Sequence, residues 1–335
     1  MIQLGIAKEE KIILIAVLNW GLGHASRMIP IIQGCLDNNK TVIVASDGIS
    51  GNLLRKEFPQ LTYVELPKYN IKYHANFTGL AISSQWWKIA RSIWKEQIKT
   101  KELIQNYKPD CIISDNRFGV RSSQIRSIFI THQINIITPF KIFNPLVRGV
   151  NEFLINRFDE CWVPDFPDHS LSGTLSDDSN IKNIKFLGPL SRLKPLSIPI
   201  KHAIAVILSG PEPQRSLLER EILSVLDKEN FSFILIRGTD VSDTPNSKAI
   251  QTVALADAAC INQCIEEAQV VICRSGYTSL MDLVALDKKA ILIPTPGQPE
   301  QEYLGKHVEN HPLFTVVEQK KIANQLVPSL LQLLN

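Results

Sequence analysis

The chain has 335 residues, 44% of them hydrophobic, and a formal net charge of +3 at pH 7. This length exceeds what one hydrophobic core usually organises, so two domains are expected. The small net charge argues against nucleic acid as a partner. The six cysteines lie mostly in apolar runs, as reduced core thiols do, and they do not combine with histidines at the spacing of a zinc site.

The first residues and the apolar runs predict where the protein resides. Glu9 and Glu10 precede a first apolar run of only about eight residues, which is not typical of a signal peptide. No run approaches the roughly 20 apolar residues that a membrane span requires. We therefore expect a cytoplasmic protein, one that can still contact the inner face of the membrane as a peripheral protein.

Short apolar runs alternate with longer segments of helical period along the chain. Such continuous apolar strands, separated by helices, predict parallel sheets that are covered on both faces. Six runs precede residue 166, namely 12–18, 41–46, 61–66, 111–115, 128–133 and 161–165. Seven follow residue 183, namely 184–189, 203–210, 231–238, 250–255, 270–276, 290–295 and 314–318.

This pattern predicts an α/β protein with two doubly wound, Rossmann-like domains. The first spans 1–165 and the second spans 201–320. Between them, 166–200 is rich in Ser, Asp, Gly and Pro, which indicates a linker. A C-terminal helix at 320–335 is expected to pack back on the first domain. Ligands of open α/β sheets bind beyond the carboxyl ends of the strands, so the cleft between the domains is the expected site.

The first predicted strand ends in a glycine-rich turn that carries a titratable side chain. Gly21 and Gly23 flank a leucine, and His24 follows at the start of a predicted helix. There the helix dipole favours the neutral imidazole, which can take a proton from an attacking hydroxyl. A histidine that only caps or packs is the alternative. Asp115, at the end of the fourth strand, is a second candidate base, and three other strand-end residues are assigned to the acceptor side: Asn116, Arg117 and His132.

A basic aromatic segment, 84–102, lies between the third and fourth strands. One face of its predicted helix carries Trp86, Trp87, Ala90, Ile93, Trp94 and Gln97. The charge is carried by Lys88, Arg91, Lys95, Lys99 and Lys101. A basic amphipathic helix with tryptophans is typical of a membrane-surface contact. The alternative is a helix that packs on the first sheet through its tryptophans and exposes a basic face.

The second domain contains a strand-to-helix turn, "CRSGYTSLMD" at 273–282. Arg274, Ser275 and Gly276 form the turn, and Ser275 or Thr278 can cap the following helix. The N–H groups and the dipole of such a helix end attract a diphosphate. Asp282 lies about two turns along, where a carboxylate can reach a ribose hydroxyl. A helix cap without a ligand is the alternative.

Two further strand ends of the second domain carry polar residues. In "LSGPEPQR" (208–215), Gly210 frees the backbone, and Arg215 stands in a first helical turn, where the dipole disfavours a cation. A ligand phosphate would explain that position, and a surface arginine is the alternative. In "PTPGQPEQE" (294–302), Gln301 and Glu302 suit hydrogen bonds to sugar hydroxyls.

Together these motifs resemble those of the GT-B glycosyltransferases. They are most similar to the family 28 branch, which contains the UDP-N-acetylglucosamine transferase of peptidoglycan assembly. "GLGHASR" and "SGPEPQR" are also similar to uncharacterised bacterial and archaeal proteins identified as glycosyltransferases. Two positions depart from the branch, since Asp282 stands where it has Glu and Glu302 where it has a second Gln.

The resemblance implies a GT-B fold and transfer of a hexose or N-acetylhexosamine from a UDP-sugar with inversion, in cell-envelope synthesis. His24 would be the base or an acceptor ligand, and the acceptor is unknown, with a lipid-linked one as an option. No Asp-x-Asp motif is present, so neither a metal nor another cofactor is expected. The implied donor-binding residues are Gly21, Gly23, Ser209, Gly210, Arg215, Arg237, Arg274, Ser275, Gly276, Thr278, Asp282, Gln301 and Glu302.

Two other functions are compatible with the same motifs. A UDP-sugar 2-epimerase shares the two-domain architecture and would turn over the donor without an acceptor. A nucleotide-sugar-binding protein without catalysis would bind UDP and transfer nothing.

Overall fold

The computed structural model describes residues 4–69, 86–138, 141–177, 180–239, 245 and 247–334. The chain divides into two compact units, Met1–Ser191 and Arg192–Asn335. Each unit contains one sheet whose paired strands run parallel. Each sheet is covered by helices, as the alternation of apolar runs and helical segments predicts.

The first unit forms, among its described residues, a seven-stranded sheet of order β3-β2-β1-β4-β5-β6-β7. Its strands are β1 (Ile12–Val17), β2 (Thr41–Ser46), β3 (Thr62–Glu65), β4 (Cys111–Asp115), β5 (Arg126–Ile130), β6 (Glu160–Val163) and β7 (Ile184–Phe186). Its helices are α1 (Leu22–Asp37), α2 (Gly48–Glu57), α3 (Trp86–Tyr107) and α4 (Asn144–Ile155). Strands β1 and β4 form the centre and are buried along almost their whole length.

The strand order of the first sheet reverses between β1 and β4. The chain runs from β1 outward to β3 and then returns to the other side of β1. Val17 and Asp115 pair in register, so β1 and β4 end side by side. The loops after these two strands diverge at this point, which is where open α/β sheets bind ligands.

The second unit forms, over its described residues, a six-stranded sheet of order β10-β9-β8-β11-β12-β13. Its strands are β8 (His202–Ile207), β9 (Phe233–Ile236), β10 (Gln251–Val253), β11 (Ala268–Cys273), β12 (Ala290–Leu292) and β13 (Phe314–Val316). Its helices are α5 (Gln214–Leu226), α6 (Ala258–Glu266), α7 (Tyr277–Ala285), α8 (Pro299–His307) and α9 (Ile322–Leu334). Ile207 pairs with Cys273, so β8 and β11 end together at the reversal point of this sheet.

The predicted linker, 166–200, differs from the structure. The strand at 184–186 is β7, which pairs with β6 of the first sheet, and the first unit continues to Ser191. The polar composition of 166–176 has another cause, the fully buried carboxylate of Asp165. That carboxylate accepts hydrogen bonds from the backbone N–H of Phe166 and Ser172, both at 2.7 Å. The segment is therefore a compact loop of the first unit.

The C-terminal helix also differs from its predicted place. Leu326 and Leu330 of α9 are fully buried in one core with Ile222 and Leu226 of α5. Val206 and Ile272 of the central strands belong to the same core. Helix α9 therefore completes the hydrophobic core of the second unit, where the expectation had been packing on the first.

Helix α3 packs on the first unit through a polar face. Ser92, Glu96, Thr100 and Leu103 are its buried residues, at 6% exposure or less. Three apolar residues lie on the opposite side and are about half exposed or more: Trp87 (50%), Trp94 (59%) and Ile98 (51%). Packing through Trp87 and Trp94 is thus wrong as an interpretation of this helix. Residues 84–85 and the side chain of Trp86, which belonged to the predicted segment, lie outside the described residues.

Candidate active site

The turn after β1 brings His24 to the carboxyl edge of the first sheet. Gly21 has φ 85°, a left-handed conformation that favours glycine, and it caps the N-terminus of α1. The Ser50 hydroxyl donates a hydrogen bond to the Gly21 carbonyl at 3.2 Å. Gly23 and His24 lie in the first turn of α1. The conformation of Gly21 therefore lets the helix start directly after the end of β1.

The two candidate bases lie next to each other. His24 Nδ1 is 2.8 Å from Asp115 Oδ2. The Asp115 side chain is fully buried, whereas 16% of the His24 side chain is exposed. Asp115 is therefore a partner of His24 and does not itself reach solvent. An imidazole that donates its Nδ1 proton to a carboxylate keeps its lone pair on Nε2, the atom that can accept a proton.

Arg27 completes this group and was not identified from the sequence. It is 2% exposed, and its Nε donates a hydrogen bond to Asp115 Oδ1 at 2.9 Å. Its Nη2 lies 2.8 Å from His24 Nδ1, and its Nη1 lies 3.1 Å from His132 Nδ1. The available signal was its spacing, because residues three apart on a helix share one face.

Asp115 is ionised in this environment. Burial by itself raises the pKa of Asp115, but the Arg27 guanidinium and His24 beside it hold the pKa below its usual value. The carboxylate can therefore orient His24 and stabilise the imidazolium that forms when His24 takes a proton.

Arg117, assigned to the acceptor side from the sequence, requires a correction. Its side chain is fully buried, and its Nη1 donates to Glu96 Oε1 at 3.0 Å and to the Pro67 carbonyl at 2.9 Å. Its Nη2 forms an ion pair with Asp47. Arg117 thus stabilises the interior beneath the sheet edge. Asn116 is partly exposed with φ 51°, and His132 is 7% exposed.

Exposed or partly exposed apolar side chains lie in the segments that follow this edge of the first sheet. They follow strands β1, β2, β5 and β6, and each is between 37% and 54% exposed. Such side chains are costly to leave in water and suit contact with an apolar ligand. The residues are Trp20, Leu22, Ile49, Ile136 and Phe166.

The second unit has its own strand-end site, after β8 and β11. Ser209 and Gly210 are exposed in the turn between β8 and α5, and Gly210 has φ 101°. Gly276 caps the N-terminus of α7, and a Cβ added there would meet nothing closer than the Ser279 hydroxyl at 3.9 Å. Thr278 and Asp282 on α7 are partly exposed. Two helix N-termini therefore begin at neighbouring strand ends, with open space at Gly276.

Gln301 and Glu302 hold the loop before α8. Gln301 Oε1 accepts a hydrogen bond from the Thr295 N–H at 3.0 Å, and Glu302 Oε1 accepts one from the Gly297 N–H at 2.8 Å. Glu302 is exposed, and Gln301 is partly exposed. Both side chains have their positions fixed by the loop, as a pair that contacts a ligand requires.

Arg215 and Arg237, which were predicted to contact donor phosphates, are held by a buried glutamate. Arg215 is 3% exposed and donates from Nη1 to Glu219 Oε2 at 2.9 Å. Arg237 is 8% exposed and donates from Nε to Glu219 Oε1 at 2.5 Å. This shared carboxylate, rather than a ligand phosphate, balances a cation in the first turn of α5. The predicted phosphate contacts are corrected accordingly.

The Arg-Ser-Gly turn also needs a correction for two of its residues. Arg274 is 2% exposed and donates to Gln319 Oε1 and to the Gln214 carbonyl, both at 2.9 Å. Burial lowers the pKa of Arg274 to about 10. Ser275 is fully buried and donates to the Gln301 carbonyl at 2.9 Å. These two residues hold α5, α8 and the adjoining loop in place, and Gly276 is the part of the turn that is not buried.

Two classes of feature are absent from the described part of the chain. It contains no group of three or more His, Cys, Asp or Glu side chains that could hold a metal ion. None of its described helices is long and apolar enough to cross a membrane.

Comparison with known proteins finds similarities in the second unit and in the fold. Residues 214–335 match the family model of the glycosyltransferase family 28 C-terminal domain. An uncharacterised glycosyltransferase of Methanosarcina acetivorans is 23% identical over 321 residues, which cover 87% of this chain and 81% of the relative. The calicheamicin glycosyltransferase CalG4 aligns with a TM-score of 0.69 at 12% identity, covering 97% of this chain and 90% of that chain.

A second relative, a transferase of N-acetylglucosamine, aligns along most of this chain. It is the UDP-N-acetylglucosamine–N-acetylmuramyl-(pentapeptide) pyrophosphoryl-undecaprenol N-acetylglucosamine transferase of Buchnera aphidicola subsp. Schizaphis graminum. The identity is 21% over 337 residues, covering 89% of this chain and 90% of the relative. The two parallel α/β units have the fold of GT-B glycosyltransferases, which confirms the fold class predicted from the sequence.

Proposed function

We propose that this chain, which has the GT-B fold and a second unit of the glycosyltransferase family 28 type, transfers a sugar from a UDP-sugar to an acceptor hydroxyl. The observation that carries the proposal is the 2.8 Å contact of His24 with the buried Asp115 at the reversal point of the first sheet. A hexose or an N-acetylhexosamine is the sugar that we favour, because the Buchnera relative is named for N-acetylglucosamine.

The reaction assigns His24 the role of general base. Nε2 of His24 takes the proton of the acceptor hydroxyl as its oxygen attacks the anomeric carbon. The bond from that carbon to the diphosphate breaks, and its electron pair leaves with UDP. Direct displacement inverts the configuration at the anomeric carbon. Asp115 stabilises the imidazolium form of His24 during this step.

The donor is assigned to the second unit. Backbone N–H groups near Gly210 and Gly276 and the N-termini of α5 and α7 would hold the diphosphate and stabilise it as it leaves, without a metal ion. Asp282 would bind the ribose, and Gln301 with Glu302 would bind the sugar. This assignment rests on exposed backbone and partly exposed side chains, because the arginines of this edge are committed to buried partners.

Calorimetric titration tests the donor site directly. UDP should bind the wild-type chain equally well with and without EDTA, and more tightly than GDP or CMP. Gly276→Asp should weaken UDP binding by about tenfold or more, because it adds a negative charge at the N-terminus of α7, where φ is an unstrained −75°. Gly149→Asp, at an exposed position of α4 in the first unit, adds the same charge with nothing within 4 Å and is the matched control.

Two outcomes would contradict the donor assignment. If no nucleoside diphosphate binds, the second unit holds no donor. If a UDP-sugar is converted to its epimer in the absence of any acceptor, the chain is an epimerase, and the role of His24 toward an acceptor fails with it.

The acceptor that we favour has a large apolar part. Trp20 and Leu22 flank Gly21 on either side, and both are more than 40% exposed beside the turn that carries His24. Ile136 and Phe166, which follow β5 and β6 at the same edge of the sheet, are each 37% exposed, so apolar side chains form part of the surface there. An acceptor made only of sugar or charged peptide would leave this surface in water, whereas a lipid-linked acceptor would cover it.

Helix α3 is suited to contact an anionic membrane surface. Its outward side places Trp87, Trp94 and Ile98 in one row, because these positions are separated by seven and four residues. Arg91 and Lys95 are exposed beside that row. Tryptophan at the headgroup level and basic side chains toward anionic lipid are the two components of interfacial binding.

A sedimentation assay tests this membrane contact. Wild-type protein should sediment with anionic vesicles at low salt. Trp87→Ala/Trp94→Ala should lower the partition constant for vesicle binding by about tenfold, because two interfacial rings are lost. Ile250→Ala/Leu255→Ala removes two apolar side chains of the second unit that are at least as exposed, and it should leave vesicle binding unchanged. Equal sedimentation of the wild type and the tryptophan variant would rule out α3 as the contact.

A further inference from the structure

Arg27 is a buried cation at the candidate active site that the proposed reaction does not use. Its guanidinium meets three titratable side chains at once, namely Asp115, His24 and His132. Arg27 and Asp115 are 3% and 0% exposed as side chains, so water does not screen this group strongly. An arginine needed only to neutralise Asp115 would not have to reach both imidazoles.

The contacts divide the Asp115 carboxylate between two partners. Oδ1 accepts from Arg27, and Oδ2 lies 2.8 Å from His24 Nδ1. Arg27 therefore fixes the carboxylate in the rotation that leaves Oδ2 for His24. The same guanidinium lies 2.8 Å from His24 Nδ1. Because Nδ1 donates its proton to Asp115 Oδ2 in the base-competent tautomer, Arg27 does not hydrogen-bond to that atom and acts on the imidazole through its positive charge.

We propose that Arg27 is a positioning residue, which locks Asp115 and both histidines into one group and keeps His24 as the neutral imidazole until a substrate proton arrives. This inference goes beyond the proposed function, and it rests on that function only for the statement that His24 acts as a base. The arrangement differs from a two-residue histidine–aspartate pair, in which the carboxylate alone acts on the imidazole.

The charge balance gives the direction of the effect. With both imidazoles neutral, Arg27 and Asp115 cancel, and protonation of His24 leaves one net positive charge in a buried group. Without the Arg27 charge, protonation of His24 would instead neutralise Asp115. His24 should therefore take up a proton at higher pH once Arg27 loses its charge.

Two other buried carboxylates of the described first unit are paired with an arginine other than Arg27. Asp47, after β2, and Glu96, on α3, both bind Arg117. His132 faces the group through Arg27 Nη1. Among the described residues, Arg27 from its own helix and Asp115 from β4 both contact His24, and His132 contacts Arg27.

Side-chain NMR of the whole chain tests the inference without any substrate. The chain has seven histidines, and labelling of the histidine rings gives one titration curve for each. The curves of His24 and His132 are assigned by their absence in His24→Gln and in His132→Gln. Arg27→Gln should move the titration midpoint of His24 upward by about 1–3 pH units. Arg27→Lys retains the charge, so its His24 midpoint should stay close to that of the wild type. Arg126→Gln removes an equally charged, ion-paired arginine at the start of β5 and should leave the midpoint in place.

A second pair of variants tests the inference even if Arg27→Gln alone does not fold. Asp115→Asn/Arg27→Gln leaves no unpaired buried charge, and its His24 midpoint should lie above that of Asp115→Asn alone. An unchanged midpoint in either comparison would overturn the inference, because a purely structural arginine would not move it. The result is independent of glycosyl transfer: a chain with no transferase activity can show the shift, and an active transferase can lack it.

Discussion

Replacement of His24 by alanine should lower kcat for sugar transfer by about 10²–10⁴-fold, the range that loss of a general base usually produces. His24 is the member of the His24–Asp115 pair whose side chain reaches solvent. UDP binding should change little in this variant, because the donor is assigned to the second unit. Release of UDP from a UDP-sugar in the presence of acceptor measures kcat, and calorimetry with UDP reports that the protein is intact.

Asp115→Asn should have a loss of similar size. The amide cannot accept the Nδ1 proton as a carboxylate does, so the imidazolium loses its stabilising charge and the tautomer is no longer fixed. Because Arg27 and His24 hold the pKa of Asp115 below its usual value, the acid limb of the wild-type pH profile should reflect His24. His169→Ala is the matched control, since His169 belongs to the same unit and contacts Ser176 at 2.7 Å. Full transfer activity in both the His24 and Asp115 variants would refute the assignment.

The sequence predicted the parts of the fold that depend on local patterns. The predicted apolar runs 12–18 and 270–276 overlap the central strands β1 (Ile12–Val17) and β11 (Ala268–Cys273), because strands covered on both faces need mostly apolar residues. His24 and Asp115 could be expected to lie near each other, because the carboxyl ends of parallel strands share one edge. Their direct contact could not be derived, since it depends on the register of β1 with β4.

The arginines show why site chemistry is harder to read from a sequence. Arg215 and Arg237 stand at strand and helix ends, where a phosphate ligand or a buried carboxylate would explain them equally well. The carboxylate is Glu219, one helical turn after Arg215 and 18 residues before Arg237, so the shared ion pair is a tertiary feature. Arg27 was overlooked for the opposite reason, because an arginine on a helix is usually exposed.

Helix α3 reversed the usual relation between hydrophobicity and burial. One of the two interpretations of its tryptophans was an inward-facing side, but Glu96 and Thr100 face inward instead. Glu96 binds Arg117, and Thr100 donates to the backbone of its own helix and to the Gly119 carbonyl. A polar side chain is buried when its partner is already buried, and the sequence of one helix does not contain that partner.

Among the changes considered, replacing Arg117, which is ion-paired with Asp47 and Glu96, is expected to have the largest effect on stability. Arg117→Met should lower the free energy of unfolding by about 3–5 kcal/mol at pH 7, because it leaves Asp47 and Glu96 buried without their counter-charge. It also removes the donors to the Val17 and Pro67 carbonyls. Urea unfolding followed by circular dichroism measures the change. Arg126→Met is the matched control, because Arg126 also binds two carboxylates, Glu10 and Glu160, but is 27% exposed and should cost about 0–1 kcal/mol.

The pH dependence of this loss separates charge from packing. Burial holds the pKa of Glu96 above its usual value even with Arg117 present, and removal of Arg117 raises that pKa further. A carboxyl group with a raised pKa in the folded state favours folding increasingly as the pH falls, since the folded chain then binds the extra proton. The difference in the free energy of unfolding between Arg117→Met and the wild type should therefore decrease from pH 8 to pH 5. Adding Glu96→Gln to Arg117→Met should decrease the same difference at pH 8. A difference that stays constant with pH, or one no larger than that caused by Arg126→Met, would show that the Arg117 guanidinium contributes packing and not charge.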